Sequence, residues 1–329
     1  MGFTSFEGLR NGVAGRGAAG GSVTMWVLAS ALSLVVGATG CGVQELPSEE
    51  QELALHTQER AVQEDNGLSL NGLSLNGLSL NGLSLNGLSL NGLSTTNFAN
   101  WFNGNPAGHE QLMRYMVRCA VPAGQTRSFV NPSTGVFYTW QGGLGLAPSW
   151  ASGAPATVVE QQVVSACLAA HANNYGLHIS ISVLGRDANG VDIPYTADEL
   201  ASFPRKESCF FGNVFTSEGL FAGNDRNALA AEESTSRPCG LRGYGALSNA
   251  ECTQLKRIGQ CEQHCTLDAN GMYYTQCTVN GMQYRPLTTR MRPQDVHRCG
   301  DGVCQQGESC GWGVTADSCL PDCGSCPAP

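Results

Sequence analysis

Between residues 95 and 298 the apolar positions follow two alternating periods. From Pro106 the apolar residues Leu112, Tyr115, Met116 and Cys119 recur at helical spacing, with Arg114 and Arg118 off that face. Proline is tolerated in a first helical turn, so Pro106 suits the start of this helix, and Pro122 ends it. Two β-rich runs, RSFV and VFYTW, flank Asn131 to Gly135 and predict a hairpin, followed by a glycine-rich loop to Trp150. A second helix opens at Thr157, whose partner Glu160 completes a capping box, and runs through Val159, Val163, Cys167 and Ala170 to an expected stop at Gly176.

The period then changes from helix to strand. Leu177, Ile179, Ile181 and Val183 alternate with His178, Ser180 and Ser182, which predicts one buried and one polar face. A turn at Asn189-Gly190 would return this strand as VDIPY, with Pro194 favouring a sheet edge. Thr196 with Glu199 opens a short helix ended by Pro204, and residues 209–215 read as a buried strand. Residues 216–247 look irregular and polar, a long mobile loop tied down at Cys239. Ser248 with Glu251 caps an expected helix carrying Cys252, Leu255 and Ile258. MYYTQCTV and MQYRPL flank Asn280-Gly281, a type I′ hairpin signal. The pattern predicts an α+β fold, a small antiparallel sheet packed with two or three helices.

The run Met25 to Val36 carries no charge, but as a helix its twelve residues reach only ~18 Å. A bilayer core is ~30 Å thick, so the run is too short to span. Arg10 and Arg16 precede it and Ala38-Thr39-Gly40 follow, the three regions of a secretory signal peptide over residues 1–40. Small residues directly before Cys41 resemble the bacterial lipobox, although Ala38 stands where that motif usually has Leu. The resemblance implies lipidation of Cys41 and a stable membrane anchor; the alternative, ordinary cleavage after Gly40 or Ala38, gives a soluble secreted protein. Residues 41–65 then form an acidic, disordered tether.

Residues 66–94 hold six copies of Asn-Gly-Leu-Ser, starting at Asn66, Asn71, Asn76, Asn81, Asn86 and Asn91. Asn, Gly and Ser disfavour a helix, and an odd period swings successive leucine pairs to opposite faces of a strand. The period resembles pentapeptide-repeat proteins, whose right-handed β-helix places four five-residue sides per coil. Six sides are too few to bury a core alone. Three readings stay open: a spacer of ~30 Å as coil and ~95 Å when stretched, a short solenoid cap on the next domain, or a self-association element.

Composition narrows the function. The chain has 329 residues and a formal charge of −9, with two lysines against sixteen arginines, so nucleic acid is a poor partner. Fifteen cysteines are an odd number for an oxidising compartment; setting Cys41 aside for lipid leaves fourteen. Eight fall in residues 95–298 (Cys119, Cys167, Cys209, Cys239, Cys252, Cys261, Cys265 and Cys277). Six fall in residues 299–329 (Cys299, Cys304, Cys310, Cys319, Cys323 and Cys326), so each module can close on itself through disulfides.

The last thirty residues carry the frame Cys299-Gly-Asp-Gly-Val-Cys304, Gly307 to Cys310 and Asp322 to Gly324. This frame resembles a cysteine-rich module at the ends of secreted proteins of GC-rich gliding soil bacteria. With the Asn-Gly-Leu-Ser repeats and the lipobox, the chain resembles uncharacterised surface lipoproteins of such bacteria. That resemblance implies a cell-envelope location in the outer membrane, with the soluble secreted form as alternative, and brings no established activity.

Chemistry is sparse. The sequence has no Gly-x-Ser-x-Gly elbow and no phosphate loop, and His109-Glu110 lacks a second histidine four places on. No cofactor and no metal site is expected: Cys252, Cys261, His264, Cys265 and Cys277 could be drawn around zinc, but export favours disulfides. Cys167 and His171, one turn apart, could form a thiol and base, against a bridge from Cys167 to Cys119 that pins two helices. The acidic loops Asp187 to Asp192 and Asp301 to Glu308 are short of calcium's ligand count and read as turns. Trp101, Trp140 and Trp150 could stack on sugar, or fill a core and anchor loops. Two functions remain. One is a binding or structural surface protein with a membrane anchor and an unknown protein or carbohydrate ligand. The other is a hydrolase with acids or a base around Asp192, Glu199, Glu207 and His178.

Overall fold

The computed structural model describes residues 64–66, 68–69, 90–173, 179–216, 218–237, 239–241, 255–305, 307–311 and 318–327. All of them fall within one unit, Pro47–Pro329, and the apolar run Met25 to Val36, Cys41, His178, Ser248, Glu251 and Cys252 lie outside the described residues. The chain begins with β1 (Glu64–Asn66) and β2 (Leu68–Ser69), then α1 (Leu90–Leu93), α2 (Thr96–Gly104) and α3 (Pro106–Ala120). The hairpin β3 (Thr126–Val130) and β4 (Phe137–Gln141) leads to α4 (Pro148–Ala151), α5 (Val158–His171), β5 (Ala172–Asn173) and β6 (Ile179–Gly185). Next come α6 (Ala197–Ser202), β7 (Arg205–Asn213), β8 (Gly219–Asn224), β9 (Glu233–Ser234) and β10 (Leu255–Gln260). β11 (Cys265–Leu267), β12 (Tyr274–Val279), β13 (Met282–Tyr284), β14 (Leu287–Met291), β15 (His297–Arg298) and α7 (Leu320–Cys323) complete the order.

The head is organised around α5. Thr157 Oγ1 accepts from the Glu160 amide at 3.2 Å and Glu160 Oε2 accepts from the Thr157 amide at 2.9 Å, closing the capping box. Val, Ala, Leu and Cys are distributed all around this helix, and almost its whole surface is buried. The reason is its place between α3, to which the Cys119–Cys167 disulfide ties it, and the strands β7 and β14. It ends at His171 rather than Gly176, because Ala172 and Asn173 leave the helix to pair with Leu68 and Ser69 of β2.

The main sheet has six strands in the order β1-β6-β14-β7-β8-β10, antiparallel except for the parallel pair β8 and β10. Alternate residues of a strand face opposite sides, and β7 uses both. Phe210 joins the core built by α3 and α5, whereas Cys209 and Phe211 join a second core with Phe221, Tyr274, Cys277 and Tyr284. The second core lies under the three-stranded sheet β11-β12-β13. Burying a phenylalanine side chain contributes about 1.5–3 kcal/mol, so Phe210 and Phe211 hold the layers together from both sides. The α+β class expected from the sequence is the one observed, with several sheets in place of one.

That layering corrects four local expectations. Ser180 and Ser182 are buried along with every other residue of β6, so neither face of this strand meets solvent. The strand expected after Asn189-Gly190 reduces to one bridge between Arg186 and Asp192 and a hydrogen bond from the Ile193 amide to the Gly185 carbonyl at 2.9 Å, since Pro194 has no N–H to carry the ladder on. Residues 216–247 contain β8, whose Leu220, Phe221 and Ala222 are buried, and the short β9, so part of this stretch is sheet rather than loop. Leu255 and Ile258 lie on β10, not on a helix, because pairing with Leu220 to Asn224 of β8 overrides the local helical spacing.

The repeat tract meets the head at both ends. Glu64 to Asn66 pairs antiparallel with Ile181 to Ile179 at the sheet edge, and Leu93 of the last copy is buried in the main core. Thr95 fixes the exit: its hydroxyl donates to the Gly92 carbonyl at 2.9 Å and accepts from the Phe98 amide at 3.2 Å. Residues 70–89 lie outside the described residues.

Candidate functional site

All thirteen described cysteines are disulfide-bonded. In the head, Cys119 pairs with Cys167, Cys209 with Cys261 and Cys265 with Cys277, and Cys239 is also oxidised. The last six close among themselves, Cys299 to Cys319, Cys304 to Cys323 and Cys310 to Cys326, across 20, 19 and 16 residues. The sulfurs of Cys209 and Cys265 approach to 3.9 Å, so two bridges abut in the second core. Cysteine chemistry as nucleophile or metal ligand needs the thiolate, which a disulfide does not offer. His171 accordingly faces a bridge: its Nδ1 lies 3.6 Å from Cys167 Sγ and 2.8 Å from the Cys167 carbonyl, inside the core beside Tyr115.

The acids proposed for a hydrolase sit on separate elements, each with its own partners. Asp192 is exposed and shares Oδ1 between Arg186 Nε at 2.7 Å and the Tyr273 hydroxyl at 2.7 Å. These two hydrogen bonds, Tyr273 first, hold its carboxyl below the usual carboxylate range. Glu199 is buried in the first turn of α6, where its amide donates to Thr196 Oγ1 at 3.1 Å. Glu207 is enclosed: its carboxylate accepts from Arg237 Nε at 2.6 Å and Nη2 at 3.0 Å, and neither side chain has any exposure. An acid fully committed to a guanidinium is not poised to exchange a proton with a substrate.

Glu160 is a further committed acid. Besides closing its capping box it accepts from the Ser149 amide at 2.7 Å and the Trp150 amide at 3.1 Å, so one carboxylate caps α4 as well as α5. In the acidic loops, Asp187 Oδ1 accepts from the amides of Asn189 and Val191 at 2.9 and 2.8 Å. Asp322 accepts from the amides of Gly300, Asp301 and Gly302, and Asp301 Oδ1 from that of Val303. These oxygens are spent on turns.

The tryptophans do not form a platform. Trp140 and Trp150 are buried, and Trp101 stacks on His109 with ring centroids 4.1 Å apart.

One titratable cluster escaped the sequence. The Asp225 side chain, 4% exposed, accepts from the Tyr274 hydroxyl at 2.7 Å and lies 3.9 Å from Lys206 Nζ. Burial raises its carboxyl above the ordinary range, opposed by the Tyr274 hydrogen bond and the charges of Lys206 and Arg290. Burial and the Asp225 contact also push the Tyr274 hydroxyl up. The cluster spans β7, β12, β14 and the residue just after β8, so only the pairing of distant strands assembles it. Tyr274 and Lys206 both address Asp225 Oδ1, while Oδ2 is buried without a hydrogen-bond partner among the described residues, so this acid can hold a proton.

No protein-family model, curated protein or solved structure matches the chain. Among the described residues, no helix is long and apolar enough to cross a membrane.

Proposed function

We propose that the chain is an exported surface lipoprotein, held at the outer membrane through Cys41, whose disulfide-braced head acts as a binding or structural element. The observation that carries this reading is the oxidation of every described cysteine, thirteen of fifteen in the chain. Disulfides in such density belong to compartments beyond the reducing cytosol. The apolar run and the small residues ahead of Cys41 supply the export and lipidation signals. A binding role needs a rigid scaffold and an open surface, whereas a hydrolase needs convergent acid and base; the carboxylates of Asp192, Glu207 and Glu160 are each committed to partners on separate elements, which favours the first.

Because the repeat tract starts and ends on the head, the leash available between anchor and sheet is residues 42–63. At ~3.3 Å per extended residue it reaches at most ~73 Å. The direct test is envelope fractionation with palmitate labelling: the native chain enters the outer-membrane fraction and carries label, and Cys41→Ser loses both. Recovery of unlabelled native protein in the cytosol would refute the reading.

A further inference from the structure

The β3–β4 hairpin has one face turned into the core and one turned outward. In an antiparallel pair, directly opposed residues share a face. Arg127 with Trp140 and Phe129 with Tyr138 form the inner face, where Phe129 and Trp140 are buried. Thr126 with Gln141, Ser128 with Thr139, and Val130 with Phe137 form the outer face. Val130 is 58% exposed and Phe137 64%, and Thr126, Thr139 and Gln141 are also exposed. The three rows cover ~14 Å along the strands.

This face is uncharged in a chain whose formal charge is −9. The one charged residue of the hairpin, Arg127, belongs to the inner face and donates to the Ala151 carbonyl at 2.7 Å and the Thr126 carbonyl at 2.8 Å. The hairpin is also held rigid at its tip. Asn131 is buried, its Nδ2 donates to Asn103 Oδ1 at 2.7 Å, and Asn103 Nδ2 donates to Ser133 Oγ at 3.2 Å, fastening the turn to α2. A rigid surface loses little conformational freedom when a ligand settles on it.

We propose that this outer face binds a neutral polysaccharide, an inference that rests on the reading of the head as a binding surface and names its ligand class. The Thr126 hydroxyl and Gln141 amide, with the Ser128 and Thr139 hydroxyls paired at 3.3 Å between them and Phe137, match a ligand that is itself a row of hydroxyls, and the Phe137 ring offers an apolar plane for the C–H face of a sugar ring. The absence of charge disfavours acidic polymers and charged peptides, which would find no counter-ion. A bilayer is a poor match, because the exposed polar groups of Thr126 and Gln141 would be taken out of water.

The test is co-sedimentation of the purified mature protein, in detergent, with microcrystalline cellulose, chitin and insoluble β-1,3-glucan, and, for the lipid-free Cys41→Ser chain without detergent, with phosphatidylcholine vesicles. Retention by at least one glycan is expected, falling at least ten-fold in Phe137→Ala and in Thr139→Glu. Val158→Ala, at another exposed apolar residue, should leave retention unchanged. Melting curves should coincide for all four proteins, since the altered side chains are exposed. No retention on any glycan overturns the proposal, as does retention indifferent to both hairpin variants. Phe137-dependent binding to vesicles alone, or Phe137-dependent self-association alone, overturns it in favour of a lipid surface or a second copy. Failure of the underlying surface-protein reading is separately visible, as a Cys41 without lipid or a reduced cytosolic product.

Discussion

Glu207 and Arg237 meet in a two-point ion pair, Nε to Oε1 at 2.6 Å and Nη2 to Oε2 at 3.0 Å, with no solvent on either side chain. The Gly240 backbone closes over the pair: a Cβ at that position would sit within van der Waals overlap of the Glu207 carboxylate, and the Gly240 carbonyl accepts from Ser208 Oγ. The pair therefore fixes the segment around Cys239 against β7. Its removal tests whether this stretch is a part of the head or an appendage to it.

Breaking a buried pair from one side leaves an uncompensated charge, at a cost of about 3–5 kcal/mol. Glu207→Gln or Arg237→Met should each destabilise the head by that order in urea unfolding. Glu207→Leu combined with Arg237→Met should cost less than the two single changes together, because neither charge is then stranded. Additive losses would show that the two side chains act independently.

Asp225 makes the head sensitive to pH in the sense opposite to a salt-bridged acid. Its folded carboxyl titrates above its unfolded value of roughly 3.9, chiefly through burial. Below the unfolded value both states are protonated and the group contributes nothing. Between the two values the unfolded chain loses its proton first, so stability falls as pH rises and reaches its full loss above the folded value. Asp225→Asn should unfold like the native protein near pH 3 and at higher denaturant near pH 7, with the Tyr274 hydrogen bond retained. A variant weaker at pH 7 than at pH 3, relative to native, would contradict this.

The disulfides should rank by the loop they close. In the chain-entropy model the Cys119–Cys167 bridge, 48 residues apart, constrains the unfolded chain by about 4 kcal/mol. The Cys265–Cys277 bridge, 12 apart, constrains it by about 3 kcal/mol. Paired serine substitutions should reproduce that order in thermal or urea unfolding. The first variant also frees α3 from α5 and should lower hydrogen-exchange protection in both helices.

Local chemistry made part of this structure legible in the sequence. The Asn280-Gly281 turn is such a case: both residues adopt positive φ, 52° and 77°, as a type I′ turn requires, and the flanking runs pair as β12 and β13. The capping box at Thr157 and the helix starts at Pro106 and Thr196 are equally local. What escaped depends on partners far along the chain. The stretch LTTRM of β14 has no alternation, yet it lies between β6 and β7 in the middle of the main sheet. β10 carries a helical spacing that its pairing with β8 overrides. The serines of β6 signalled solvent, but every residue of that strand is buried. For the candidate surfaces the limit is the same: the strand register decides that Thr126, Ser128 and Phe137 share one face, and the three tryptophans, more conspicuous in the sequence, turn elsewhere.

The most direct measurement is the intact mass of the mature protein taken from its own membranes, before and after alkylation without reductant. Export, lipidation and complete oxidation together predict a chain that begins at Cys41, carries a diacylglycerol there, and gains no alkyl group. A product that retains its first forty residues, lacks lipid and takes up alkyl groups would contradict that picture. A single alkylated thiol in the head would contradict the binding role in particular and return attention to thiol chemistry.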